Sequence, residues 1–148
     1  MIKYLRFAAM IGTSTVIMYG LMYLNTYATD HLYWSETRAY MALIMGSTMA
    51  VVMLLFMLHM YRNKAVNVAI LAMAGIVFAS SLYMVRSQAS VDQLDWMKAM
   101  IPHHSIAILT SERAGLDDPR VRALADEIVA TQRQEIAEMK SLIAELER

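Results

Sequence analysis

Four kinds of side chain that bind soft or borderline metal ions gather in the last third of the chain. They are the thioethers of Met97, Met100 and Met139, the imidazoles of His103 and His104, the carboxylate of Glu135 and the amide of Gln132. On a wheel of about 100° per residue, Met97, Met100, His104 and Ile108 share one helix face, with His103 toward its edge. In a following helix Val121, Leu124, Ile128, Met139, Leu142 and Leu146 form an apolar stripe, and Gln132 and Glu135 interrupt it. A buried, unpaired carboxylate costs several kcal/mol, so Glu135 must be paired, protonated, hydrated or bound to a cation. Thioether and imidazole donors together suit Cu(I), whereas zinc prefers thiolate, imidazole and carboxylate, and magnesium and calcium want oxygen. The spacing alone leaves two readings open: a soft-metal site, or ordinary methionine packing in which Glu135 braces His104.

Two helices must hold these groups. The first is expected over 91–114, closed by Gly115 in a left-handed C-cap. The second starts at Asp118, an N-cap acceptor, followed by Pro119 at a position that misses no N–H. The turn 115–117 is short, so the helices are antiparallel neighbours and the level of His104 lies opposite that of Gln132 and Glu135. Pro102 removes a helical hydrogen bond and is expected to kink the axis beside the two histidines.

The remainder of the chain is apolar. Of 148 residues 58% are hydrophobic and 18% charged, which is too apolar for an ordinary soluble domain of this length. No charge occurs between Arg6 and Asp30, between Arg38 and Arg62, or between Lys64 and Arg86. The segments 7–27, 39–61 and 65–85 each reach the roughly 20 residues that span a bilayer. The expected architecture is therefore all-α, with a three-span transmembrane region over 1–88 and a helical hairpin over 89–148. The first span follows Lys3 and Arg6 like a signal peptide, but no small-x-small cleavage site follows it, so it reads as a retained anchor. Lys3, Arg6, Arg62 and Lys64 place the N-terminus in the cytoplasm and the hairpin in the periplasm of an inner, multi-pass membrane protein. Lipid is thus one partner. The net charge of +0 leaves no field to recruit nucleic acid, and with no cysteine there is neither a disulfide nor a thiolate site.

The run Met100-Ile101-Pro102-His103-His104, then Ala107-Ile108, Leu124-Ala125, Ile128, Gln132, Glu135-Ile136 and Met139, resembles the DUF305 or CopM-like family over about 92–146. The three-span front end looks like a membrane-anchored branch of it. The resemblance implies a ferritin-like four-helix bundle, an extracytoplasmic location and a link to copper binding or tolerance. Carried over by position, it nominates Met100, His103, His104, Gln132, Glu135 and Met139. Thr110 stands where many members have a methionine.

The functional expectation is a non-enzymatic, membrane-tethered Cu(I) binder in copper homeostasis, with no catalytic residue and an unspecified copper-handling partner protein. The alternative is an interaction module whose hairpin docks a partner without metal. An acid–base enzyme using Glu135 and His104 ranks last, since no nucleophile, phosphate loop or cofactor fingerprint accompanies them. The width of the apolar stripe, with Val129, Ile136 and Ile143 beside it, leads to the expectation of a homodimer whose paired hairpins complete a bundle. In the second span Met41, Met45, Met49, Met53 and Met57 recur every fourth residue, as one packed helix face would. His31, alone in a loop, is expected to be solvated or else to face the hairpin.

Overall fold

In the computed structural model, which describes residues 2–148, all regular structure is helical. The helices are α1 (Ile2–Leu21), α2 (Glu36–Phe56), α3 (Lys64–Ser87), α4 (Gln93–Arg113) and α5 (Pro119–Leu146), with a single 3₁₀ turn at Thr29–His31. They fall into two compact units. One comprises residues 1–22 and 37–90, the other residues 23–36 and 91–148.

In the first unit, α2 and α3 are long and apolar enough to cross a membrane, and they are the two such helices among the described residues. The segment expected to make an earlier crossing, 7–27, is helical only as far as Leu21. Its apolar character is diluted by Gly12, Thr13, Ser14 and Thr15. Phe7, Ala50, Leu54, Tyr61 and Ala74 form the buried core of this unit. Tyr4 and Phe7 pack their rings on Tyr61 at 5.0 and 5.4 Å between centroids. The Tyr4 hydroxyl donates to Asn67 Oδ1 at 2.8 Å, and Asn67 Nδ2 donates to the Tyr61 carbonyl at 2.7 Å. These bonds satisfy an amide that would otherwise be costly to bury. Asn63 caps α3 by accepting from the Val66 N–H.

The packed face of α2 consists of Ala42, Gly46, Ser47, Ala50 and Leu54. The methionine stripe joins the packing only toward its C-terminal end: Met53 and Met57 pack against the core, whereas Met41 and Met45 are exposed. Small residues let helices approach closely, which a row of thioethers would prevent. Gly46 shows how close, because a Cβ there would run into the Thr15 side chain. Gly46→Ala should therefore destabilise this unit by about 1–3 kcal/mol, and adding Thr15→Ala should recover most of the loss. Thermal unfolding in detergent checks this; a single variant as stable as the parent would refute the contact.

In the second unit, α4 and α5 are antiparallel. Asp92 caps α4 by accepting from the Asp95 N–H, and Asp118 caps α5 by accepting from the Arg120 N–H. The start of α5 is thus where Asp118 indicates. The closure of α4 differs from expectation: Ala114 ends it in an extended conformation, and Gly115 does not have a positive φ. Pro102 is buried inside α4, which continues past it. At the far end of the hairpin Lys98 Nζ meets Glu147 Oε1 at 2.6 Å, and this contact raises the Lys98 pKa.

Met97, Ile101, Ile108, Val129, Ile136, Met139 and Ile143 form the core of the hairpin. The buried face of α5 is Ala125, Val129, Ile136, Met139 and Ile143. This corrects the expected stripe, since Val121, Leu124, Ile128, Leu142 and Leu146 are exposed. The helix is turned so that the flanking set faces α4.

Residues 23–36 form a strap on the hairpin. Ser105 is fully buried. Its Oγ accepts the Tyr27 N–H at 2.7 Å and lies 2.9 Å from His31 Nδ1. Lys140 pairs with Asp30, and Tyr33 packs on the core cluster. His31 is therefore not the solvated loop histidine that its isolation in the sequence suggests; its side chain is only 12% exposed.

Candidate functional site

Helix α4 presents His104 toward α5, with Met100 one turn earlier. The His104 Nδ1 lies 2.9 Å from the Met100 carbonyl oxygen. A carbonyl can only accept, so Nδ1–H donates and the tautomer is fixed. The other ring nitrogen, Nε2, is 2.9 Å from Glu135 Oε2. Gln132 Nε2 donates to the same oxygen at 3.2 Å. With Nδ1 committed, Nε2 and the carboxylate can approach this closely only with a proton or another cation between them. Proteins orient a ligating histidine by donating one imidazole N–H to a backbone carbonyl or a carboxylate, as Nδ1 does here, and the second nitrogen of His104 meets Glu135.

The predicted residues separate into three groups. His104, Gln132 and Glu135 converge directly. Glu135 is not buried as its place in the apolar pattern implied: its side chain is 45% exposed, against 14% for His104. Because the core face of α5 is turned away from it, Glu135 stands at the edge of the seam and needs only partial desolvation.

Met97, Met139 and Met100 are packed with the core, the first two buried and the third partly so. Met100 and Met139 each lie four residues from a member of the polar trio, on the same helix faces. His103 is exposed and about 100° further round α4. Its ring centroid is 6.0 Å from that of His104, at 66°, so the structure does not bring it to Glu135. Among the described residues, no three histidine or carboxylate side chains stand together as a ready ligand set.

Thr110 is exposed, and its hydroxyl donates to the Ile106 carbonyl of its own helix at 3.0 Å. Six residues on from His104, it stands about 120° round the helix from it and close to the direction of His103.

Sequence reasoning missed the polar groups about 100° round α4 from His104, where Ser105 lies. A cavity of about 240 Å³ lies between strap and hairpin, lined by Tyr27, Ala28, His31, Ile108, Arg133 and Ile136. Arg133 pairs with Glu112 and lies over the Tyr27 ring, 5.9 Å from its centroid. Ser105, next to His104 in sequence, belongs to this side. No local signal marks it, because its partners are some eighty positions earlier.

The fold and site together define an all-helical protein with two helices fit to cross a membrane and a hairpin carrying a histidine–carboxylate pair. A family model described as "Domain of unknown function (DUF305)" matches residues 59–143. The chain is also similar to "Uncharacterized protein L153" of Acanthamoeba polyphaga mimivirus. The two are 35% identical over 109 residues, covering 72% of this chain and 69% of that protein. The protein belongs to the DUF305 family. The match begins in the turn before α3, well ahead of the hairpin motif. No solved structure matches the chain significantly.

Proposed function

We propose that this protein is a membrane-tethered copper binder that holds Cu(I) outside the cytoplasm at a site anchored on His104 and Glu135. The observation that carries this reading is the fixed imidazole: Nδ1 is spent on the Met100 carbonyl, and Nε2 is aimed at a carboxylate across a gap that must hold a cation or a proton. Met100 and Met139, one helical turn from His104 and Glu135, supply the thioethers that favour Cu(I). Gln132 holds the carboxylate in place. An imidazole or carboxylate must give up its proton to ligate a metal, so affinity falls as pH falls.

The second reading, a metal-free docking module, is favoured by one specific fact. Met97 and Met139 are buried among aliphatic side chains, as filler methionines are.

Titration of the full chain in detergent with Cu(I) under ascorbate separates the two. His104→Ala should weaken Cu(I) at least about 10-fold, as loss of an oriented ligand does. Met100→Leu with Met139→Leu should weaken it several-fold at a stability cost below about 1.5 kcal/mol. Full Cu(I) affinity in the His104 variant would remove the proposal. If only the methionine pair proved silent, the site would be an imidazole–carboxylate centre for a harder ion.

The membrane arrangement in this proposal has three crossings, with α1 joining α2 and α3. Lys3, Arg6, Arg62 and Lys64 lie on the cytoplasmic side. Alkaline phosphatase fused after Arg148 should be active, and the same reporter fused at Asn63 should be inactive; the reverse pattern would put the hairpin in a reducing compartment.

A further inference from the structure

Four exposed apolar residues of α5 are symmetric about Glu135. Ile128 and Leu142 stand seven residues on either side of it, and Leu124 and Leu146 stand eleven. Seven and eleven residues are close to two and three turns, so all four side chains leave the helix within about 20° of the direction of Glu135. They are 37%, 41%, 57% and 50% exposed. A pattern that reads the same in both directions from one residue is complementary to itself when two such helices run antiparallel. A foreign partner would impose no such symmetry.

On α4, Trp96 is 51% exposed, and on α5 Val121 is 47% exposed. Together these six side chains leave on the order of 500 Å² open, against about 800 Å² per partner in a standard-size interface. The strap cannot be the occupant, since its residues are already engaged on the Ser105 side of α4.

We infer that two copies pair α5 against α5, antiparallel about a two-fold axis at Glu135, and that the two His104–Glu135 pairs form one shared metal site. Under that symmetry Ile128 meets Leu142 of the other copy and Leu124 meets its Leu146. Beside the donors of one chain, pairing would bring a second imidazole and a second carboxylate to the same ion. Two carboxylates brought to one axis repel unless a cation lies between them. Metal and pairing therefore stabilise each other by linkage. The metal half of this inference rests on the function proposed above; the pairing half does not.

The chain has no cysteine of its own, which permits a clean test on the full protein in detergent. Chains carrying Ile128→Cys, mixed with chains carrying Leu142→Cys, should be joined by a short bismaleimide. Either variant alone should not be joined, because like positions lie about 21 Å apart across the axis. Joining within either single variant, or no joining in a folded mixture, overturns the pairing. Titration of the unmodified chain with Cu(I) under ascorbate should saturate at one ion per two chains. Glu135→Gln should abolish that stoichiometry while the mixed crosslink persists. One ion per chain overturns the shared site but leaves the copper reading intact. The mixed crosslink without any copper binding overturns both the shared site and the copper reading, and leaves only the dimer.

Discussion

Replacing Ile101 by alanine should destabilise the hairpin unit by about 2–5 kcal/mol, as removal of a fully buried aliphatic side chain does. Ile101 is 0% exposed and belongs to the cluster that contains Met97, Ile136, Met139 and Ile143. Its neighbour Pro102 is also fully buried, so the backbone at that level has little freedom to collapse into the vacated space. A unit of this size rarely holds more than about 5 kcal/mol in its core. The variant should therefore populate an open hairpin, with α4 and α5 losing amide protection together while α2 and α3 keep theirs. Ile101→Val, which removes one methylene, should cost about 0.5–1.5 kcal/mol. Hydrogen exchange in detergent reads both changes. A loss below about 1 kcal/mol for the alanine variant would mean that the α4–α5 seam is not packed through Ile101.

Which parts of this molecule can be read from sequence follows from the range of the interactions involved. The caps of the hairpin are local: Asp92 and Asp118 each accept an N–H two or three residues on, and the residue types suffice to find such ends. The His104–Glu135 meeting is nearly as local, since a short turn and two regular helices fix which levels face each other. The rotation of α5 is harder. Apolar residues cover a broad band of that helix, and both halves of the band obey the helical period. A wheel cannot say which half faces α4, and it puts Glu135 in the core when it belongs at its edge. Composition misleads in a similar way in α2: the methionines make the more conspicuous repeat, yet Gly46 and Ala50 make the contact. The strap lay out of reach altogether. Nothing near Tyr27 or His31 points to Ser105, and nothing near Ser105 points back.

Ser105→Ala should loosen the strap by about 1–3 kcal/mol, the cost of leaving a hydrogen-bonding group without its partner, and His31 should make that attachment sensitive to pH. The Ser105 hydroxyl oxygen already accepts the Tyr27 N–H, which leaves its proton available to donate to His31 Nδ1. Burial lowers the His31 pKa below its ordinary 6.5, and Lys140 pushes it the same way, with Asp30 opposing. The unfolded chain therefore takes up this proton before the folded one does. Stability from this group is complete above about pH 6.5 and declines as pH falls through that value toward the lower folded pKa. Asp30 acts further down. Its hydrogen bond to Lys140 lowers its pKa below 3.8, so its contribution persists above that value and is lost as pH falls beneath it. The Asp30 pair is largely exposed and should weaken with salt, whereas the His31 effect, arising from burial, should not. Replacing His31 with glutamine keeps a polar side chain and removes the titration. The difference in stability between parent and His31→Gln should be steady above neutrality and shift in favour of the variant as pH falls below about 6.5. Parallel curves for the two proteins below that pH would show that His31 is not held neutral against Ser105.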